Sequence, residues 1–317
     1  MGAPARRAGP RRACEAGAMD LRGRTVLVTG ASDGLGLASS VALAEEGARV
    51  LMTARSREKG ETALAKVREA VPSARAELVD LDLADLGSVR RCAETVQDRV
   101  DRLDVLLNNA GVMMPPQRRE TIDGFELQLG TNHLGHHALT ALLLPLLRDV
   151  PGSRVVTVSS LAARGGRIDL DDLQWQRRPY DQQASYGASK LANLLFAFEL
   201  ERRLRAAAAA TTSLAAHPGV SGTNLMSTMS LPGPVTRLAK AFMASPEQAA
   251  RPQVHAATAD GVVGGEYWGP KGPGEVRGRR VAPATVPPAA LDRATARRLW
   301  QVSDELTGVD AGLPAPR

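Results

Sequence analysis

The chain has 317 residues, 44% hydrophobic and 23% charged, which is enough apolar material for one α/β core without forcing a second domain. Its two cysteines sit in no metal or redox motif, which excludes a disulfide-stapled scaffold and fits a reducing, cytoplasmic compartment. The net charge of +6 is spread along the chain with no basic helix or aromatic stacking motif, so nucleic acid is not an expected partner, and the longest apolar stretch, residues 138–147, is too short to cross a membrane.

In chain order, Arg6, Arg7, Arg11 and Arg12 stand among Ala, Gly and Pro with only Glu15 opposing, and no apolar core of a secretory signal accompanies them. Residues 1–18 are therefore expected to be a disordered extension, with Met19 as a candidate initiator. The β-branched run Thr25-Val26-Leu27-Val28 predicts a strand. Thr29-Gly30-Ala31-Ser32-Asp33-Gly34-Leu35-Gly36 follows it, and a helical stretch over 37–46 comes next. Strand, glycine turn and helix are the context in which backbone N–H groups and a helix dipole cradle a pyrophosphate, although three glycines also make an ordinary loop.

The alternation continues with a strand over 48–54, a charged helix over 56–70, and a strand over 76–79 that ends in Asp80-Leu81-Asp82. A helix over 86–100 leads to a strand over 103–107, capped by Asn108-Asn109-Ala110-Gly111. One helix is predicted over 124–147, then a strand over 153–158 before Ser159-Ser160. Strands alternating with helices of ten to twenty residues predict parallel β-α-β units in a doubly wound, Rossmann-type parallel sheet, a single domain over 19–270 followed by a tail, 271–317, with one helix. Ligands in such sheets sit at the carboxyl ends of the strands, where Gly30, Arg55, Asp82, Asn109 and Ser160 all fall. Tyr186 and Lys190 are four residues apart, so on a helix the phenol and the ammonium share a face, and a neighbouring cation lowers a phenol's pKa from about 10.

Taken together, Thr29 to Gly36, Asn108 to Gly111, Asn132, Ser160, Tyr186/Lys190 and Pro218-Gly219 resemble, in content and order, the motifs of the short-chain dehydrogenase/reductase family. Within it, Thr131-Asn132-His133-Leu134-Gly135-His136-His137 and the residues following Lys190 are most similar to the retinol dehydrogenase and protochlorophyllide reductase-like branch. The resemblance implies that Tyr186 exchanges a proton with the substrate oxygen and that Lys190 lowers the phenol pKa while bonding the nicotinamide ribose. It also implies that Ser160 donates a hydrogen bond to the substrate oxygen and that Asn132 holds a water linking Lys190 to solvent. Asn132 alone, without the other motifs, reads rather as a helix residue bonding backbone. Ser159 competes with Ser160, and the family pattern favours the second serine.

The expected cofactor is NADP(H), because no carboxylate ends the second strand. Arg55 is the first candidate for the 2′-phosphate, with Arg57 second and Ser56 a donor. Gly30, Ser32, Asp33, Gly34, Leu35 and Gly36 are expected at the pyrophosphate, and Asp82 and Leu83 at the adenine. Asn109, Ala110, Gly111, Tyr186, Lys190, Pro218, Gly219, Val220 and Thr223 are expected along the ribose and nicotinamide.

The substrate pocket is expected between Ser160 and Tyr186, including Asp169, Asp171, Asp172, Trp175, Arg177 and Arg178, and in an apolar, methionine-bearing lid over about 220–250. Ser245-Pro246 marks a new helix running to about residue 259, residues 266–270 a strand, and Leu291, Leu299, Trp300 and Leu306 the docking face of a last helix. His133, His136 and His137 have helical spacing, but no nearby Cys or carboxylate completes a zinc set, so no metal is expected.

These readings predict an oxidoreductase moving hydride between NADP(H) and a lipophilic carbonyl or alcohol, with no nucleic-acid partner and no membrane span. A homo-oligomer is implied by family analogy. The alternative is a non-catalytic NADP-binding sensor or scaffold on the same fold.

Overall fold

In the computed structural model, residues 20–220 and 244–316 are described. The opening extension, Thr223 and most of the predicted lid lie outside the described residues.

Eight strands form one sheet in the order β3-β2-β1-β4-β5-β6-β7-β8. The first seven are β1 (Thr25–Val28), β2 (Arg49–Ala54), β3 (Arg75–Asp80), β4 (Val105–Asn108), β5 (Arg154–Val158), β6 (Thr212–Ala216) and β7 (Tyr267–Pro270), and all pair in parallel. β8 (Val281–Pro283) pairs antiparallel to β7, so the stretch that reads as a Pro/Arg-rich tail contributes an edge strand. Chain order reverses between β1 and β4, and at such a point the connections leave toward opposite faces of the sheet and a crevice opens outside the strand ends.

The sheet is covered on both faces, which is why its strands read as unbroken apolar runs. Side chains alternate across a strand. Val26, Val28, Val50, Met52, Val105 and Leu107 accordingly join one core under α1 (Gly34–Glu45), α2 (Arg57–Ala70) and α7 (Pro246–Thr258). Leu27, Leu51, Leu106 and Val155 join the other core, under α3 (Leu86–Arg99), α5 (Gly135–Leu147) and α6 (Gln182–Ala206). Fully burying one such leucine contributes about 1.5–3 kcal/mol, so the switch point is held in a rigid double-sided core.

The single helix predicted over 124–147 is instead three pieces. α4 (Leu127–Leu129) is capped by Glu126, whose carboxylate accepts from the N–H groups of Gln128 and Leu129 at 3.0 and 2.8 Å. Residues Gly130–Leu134 then form a π-turn in which Gly135 N–H bonds the carbonyl five residues back, at Gly130, before α5 begins. Close approach on both flanks of this turn requires glycine. A Cβ on Gly130 would lie 2.5 Å from Thr121 Cγ2, and one on Gly135 would lie 2.5 Å from the Leu83 carbonyl. Such π-bulges concentrate at functional sites.

The last helix, α8 (Arg293–Thr307), is capped by Asp292 and packs on α6, where Trp300 stacks on Phe196 at 5.7 Å. Leu299 and Trp300 are buried as expected, but Leu291 lies in a preceding 3-10 turn and is exposed, so it is no part of that face.

Candidate active site

A cavity of about 500 Å³ opens at the switch point. Gly30, Ser32, Asp33, Leu35 and Gly36 line it from the β1 turn, Thr53 and Arg55 from the end of β2, and Leu81, Asp82 and Leu83 from the end of β3. Asn109, Ala110, Gly111 and Val112 line it beyond β4, Ser160 beyond β5, Pro218, Gly219 and Val220 beyond β6, and Tyr186 and Lys190 from α6. Of the described catalytic and cofactor candidates, Gly34, Ser56, Arg57 and Asn132 do not line it.

The glycine turn is specific at two positions. Gly30 adopts φ +64°, and a Cβ there would sit 2.8 Å from Ala110 Cβ. On Gly36 a Cβ would run into the Gly30 carbonyl and lie 2.7 Å from Asn109 Nδ2. Asp33 caps α1, its carboxylate accepting from Gly34 N at 2.7 Å. The β1 and β4 loops are joined by Thr29, whose Oγ1 accepts from the N–H groups of Asn109 and Ala110 at 2.9 and 3.0 Å, while Asn109 Nδ2 donates to the Thr29 carbonyl at 2.8 Å. Gln253, on α7, donates to Asn109 Oδ1 at 2.9 Å and fixes that amide from behind.

Tyr186 and Lys190 project from one face of α6, whose N-terminus is capped by Asp181. Lys190 Nζ is buried, donates to the Val158 carbonyl at 3.2 Å, and stands 5.9 Å from the centroid of the Tyr186 ring. Burial draws the lysine down to about 8. Burial also pushes the Tyr186 phenol above its usual value, with the Ser160 hydroxyl drawing it back. Desolvation dominates at both groups. The two serines separate cleanly. Ser159 Oγ is committed to the Lys190 carbonyl at 2.7 Å, whereas Ser160 caps the following 3-10 turn and faces the phenol.

Asn132 lies in the π-turn, fully buried. Its Oδ1 accepts from Val112 N at 2.8 Å, and its Nδ2 donates to the Val112 carbonyl at 3.0 Å and to Ser189 Oγ at 2.9 Å. The amide clamps the β4 loop to α6, as a helix residue bonding backbone does. Gly111 is the contact point: a Cβ there would be 3.1 Å from Asn132 Oδ1 and 3.3 Å from Lys190 Nζ.

Two arginines follow β2 and differ sharply. Arg57 is occupied by Asp80 at 2.8 Å and Glu61 at 3.2 Å. Arg55 is exposed at the cavity rim and makes no hydrogen bond or ion pair among the described residues. Ser56 caps α2, accepting from Lys59 N. Asp82 lines the cavity while its carboxylate accepts from Ala84 N at 2.9 Å.

The insert after Ser160 contributes only Leu161 and Ala162 to the cavity. Asp169, Asp171, Asp172, Trp175, Arg177 and Arg178 close on themselves instead. Arg178 lies over the Trp175 ring at 3.9 Å and pairs with Asp169 at 2.9 Å, and the Asp172 carboxylate caps Gln176 N at 2.8 Å. Sequence reasoning overlooked several lining residues, among them Thr53, Leu81, Thr131 and, most notably, Met113 and Met114, which extend the β4 loop along the cavity. Met114 takes φ +50° and donates its N–H to buried Gln128 Oε1 at 2.7 Å. The apolar run Val112-Met113-Met114 directly after Asn-Asn-Ala-Gly was the available signal.

The histidines have other work. His136 Nδ1 bonds the Asn132 carbonyl at 3.0 Å, and its Nε2 meets Thr29 Oγ1 at 2.9 Å, so the ring ties the π-turn to the glycine loop. His133 and His137 reach Ser303 at 2.8 Å and Asp304 at 2.7 Å on α8. Among the described residues no group of three His, Cys, Asp or Glu is placed to hold a metal, and no helix is long and apolar enough to cross a membrane.

A family profile described as short chain dehydrogenase matches residues 24–231. Human retinol dehydrogenase 13 is 40% identical over 297 residues, covering 91% of this chain and 86% of the relative. Mouse retinol dehydrogenase 14 is 39% identical over 321 residues, covering 95% and 92%. Among solved structures, an uncharacterised protein from Mycobacterium paratuberculosis superposes with a TM-score of 0.78 at 42% identity, over 93% of this chain and 97% of that one. The Pseudomonas aeruginosa RhlG/NADP complex superposes with a TM-score of 0.63 at 25% identity, over 78% and 94%.

Proposed function

The chain belongs to the short-chain dehydrogenase/reductase family of NAD(P)(H)-using oxidoreductases, and from that premise we propose that it transfers hydride between NADP(H) and a lipophilic carbonyl/alcohol pair. The observation that carries the proposal is the convergence of Ser160, Tyr186 and Lys190 with the glycine turn on one cavity of about 500 Å³, a size in the usual range for ligand sites.

The residues fit a dinucleotide. Gly30 and Gly36 leave the space that a Cβ would fill, and the N-terminus of α1 presents N–H groups and a positive dipole end to a pyrophosphate. Arg55 supports NADP(H), since its guanidinium is uncommitted at the end of β2, where a ribose phosphate would lie, and its competitor Arg57 is held by two carboxylates. A bound nicotinamide supplies or accepts the hydride. In the reducing direction Tyr186 Oη gives its proton to the substrate oxygen, and Ser160 Oγ donates a hydrogen bond to that oxygen as negative charge develops. Lys190 holds a proton behind the phenol at a pKa of about 8, so a modest change in its surroundings alters its charge near neutrality.

Met113, Met114, Leu161, Ala162 and Val220 give the cavity an apolar wall, which supports a lipophilic substrate, as do relatives named for retinol. A cytoplasmic location and the division into a core over 19–270 with a C-terminal tail belong to the same proposal.

The test is NADPH consumption with a panel of long-chain and short polar aldehydes and ketones, beside NADPH binding by fluorescence. Tyr186→Phe should abolish turnover while NADPH still binds. Unchanged turnover in that variant refutes the assignment, and tight NADPH binding without turnover on any carbonyl favours the sensor reading instead.

A further inference from the structure

The cavity wall formed by residues 218–220 is held by a carboxylate that no motif announces. His217, fully buried at the end of β6, accepts the Gly219 N–H on Nδ1 at 3.2 Å. Its proton therefore sits on Nε2, which donates to Glu275 Oε2 at 3.0 Å. The same carboxylate accepts from Arg164 at 2.7 Å and from both the N–H and Oγ1 of Thr285, at 3.0 and 2.6 Å. Four donors from three separate segments converge on one side chain.

The backbone around Glu275 reinforces this. Val276 offers its carbonyl to Val220 N at 2.7 Å, and a Cβ on Gly219, which adopts φ +74°, would run into that carbonyl. Arg164 also donates to the Gly274 carbonyl at 3.3 Å, and it sits in the 3-10 turn Leu161–Gly165 directly after Ser160. Glu275 itself is held at φ +59°, a region that non-glycine residues occupy only where the surroundings enforce it, and such positions cluster at functional sites. A surface ion pair would need neither the strain nor the shared carboxylate.

We propose that Glu275 is a positioning residue that, through His217 and Arg164, sets the 218–220 wall against the Ser160 turn and so fixes the nicotinamide end of the dinucleotide cavity. This rests on the dinucleotide reading above. It names a role for a residue from the β7–β8 connection, remote in sequence from every motif of the site.

The experiment uses the full chain with Glu275→Gly, Glu275→Ala and Glu275→Gln, measuring NADPH dissociation by fluorescence, KM against kcat, and thermal unfolding. Glycine accepts the left-handed backbone, so Glu275→Gly removes the carboxylate without adding strain. Glu275→Gly and Glu275→Ala should weaken NADPH binding about tenfold, in keeping with one lost charged hydrogen bond, with a smaller fall in kcat. Glu275→Gln should recover most of the affinity, because its amide oxygen still accepts from His217. Wild-type affinity in Glu275→Gly, or losses in the three variants that follow unfolding temperature rather than the acceptor at 275, overturn the proposal alone. Failure of the wild-type chain to bind NADPH overturns the dinucleotide reading and this proposal with it.

Discussion

Acidification between pH 7 and pH 5 should destabilise this protein through its buried histidines. Burial draws both His136 and His217 down from 6.5 to about 4, and each ring is about 1% exposed. A folded-state pKa below the unfolded one means that the stabilisation is complete above about pH 6.5 and is lost as pH falls toward 4, because the unfolded chain takes up the proton first. With 1.36 kcal/mol per pKa unit, each ring forfeits about 2 kcal/mol by pH 5, so the pair forfeits about 4 kcal/mol, a large share of the 5–15 kcal/mol typical of a domain. His133, lowered well below its usual value by burial and by its neighbours His137 and His136, adds in the same direction. Urea unfolding at pH 7, 6 and 5 measures the slope. His217→Asn and His136→Asn, which remove the titrating ring but keep an amide in its place, should each flatten it by about 2 kcal/mol over that range. A stability independent of pH over that window, or an equal slope in wild type and both variants, refutes the reasoning.

Arg55→Ala should raise the KM for NADPH about tenfold, as for one lost charged hydrogen bond, and leave that for NADH unchanged. Arg57→Ala, whose guanidinium is spent on Asp80 and Glu61, should leave both unchanged, and steady-state kinetics with the two cofactors decides. Lys190→Met should remove turnover yet hold or raise the unfolding temperature at pH 7, since it deletes a buried cation whose pKa burial has lowered to about 8. Gly111→Ala should lower kcat with little effect on folding, because its methyl would press at 3.1–3.3 Å on Asn132 Oδ1 and the head of Lys190, and a parallel fall in unfolding temperature would count against that local cause.

Much of this architecture was legible because its information is local. The β-branched runs, the alternation of periods and the glycine turn each state their conformation within a few residues, and Tyr186 and Lys190 share a face for any α-helix. What stayed hidden depends on partners distant in sequence. The π-turn at Gly130–Leu134 carries no periodicity signal, and the need for glycine on its flanks comes from Thr121 and Leu83, distant in sequence. Asn132 was identifiable, but its work, a clamp on Val112 and Ser189, follows from the fold. The insert rich in Asp and Arg looked like pocket wall because polar residues there suggest recognition, yet its charges neutralise one another in a closed loop. The burial that raises the Tyr186 phenol was not legible, because the spacing of two residues says nothing about how much water reaches them.

The sheet's two rims also bear on how the protein behaves in a crowded cell. A naked outer strand invites another chain to add itself by main-chain bonding. Here one rim is a three-residue strand, β8, that finishes on Pro283, which has no N–H to offer, and the other, β3, carries Arg75, Glu77 and Asp80, with Glu77 bound sideways to Arg49 at 2.7 Å. Both margins therefore carry features that oppose templated growth of the sheet.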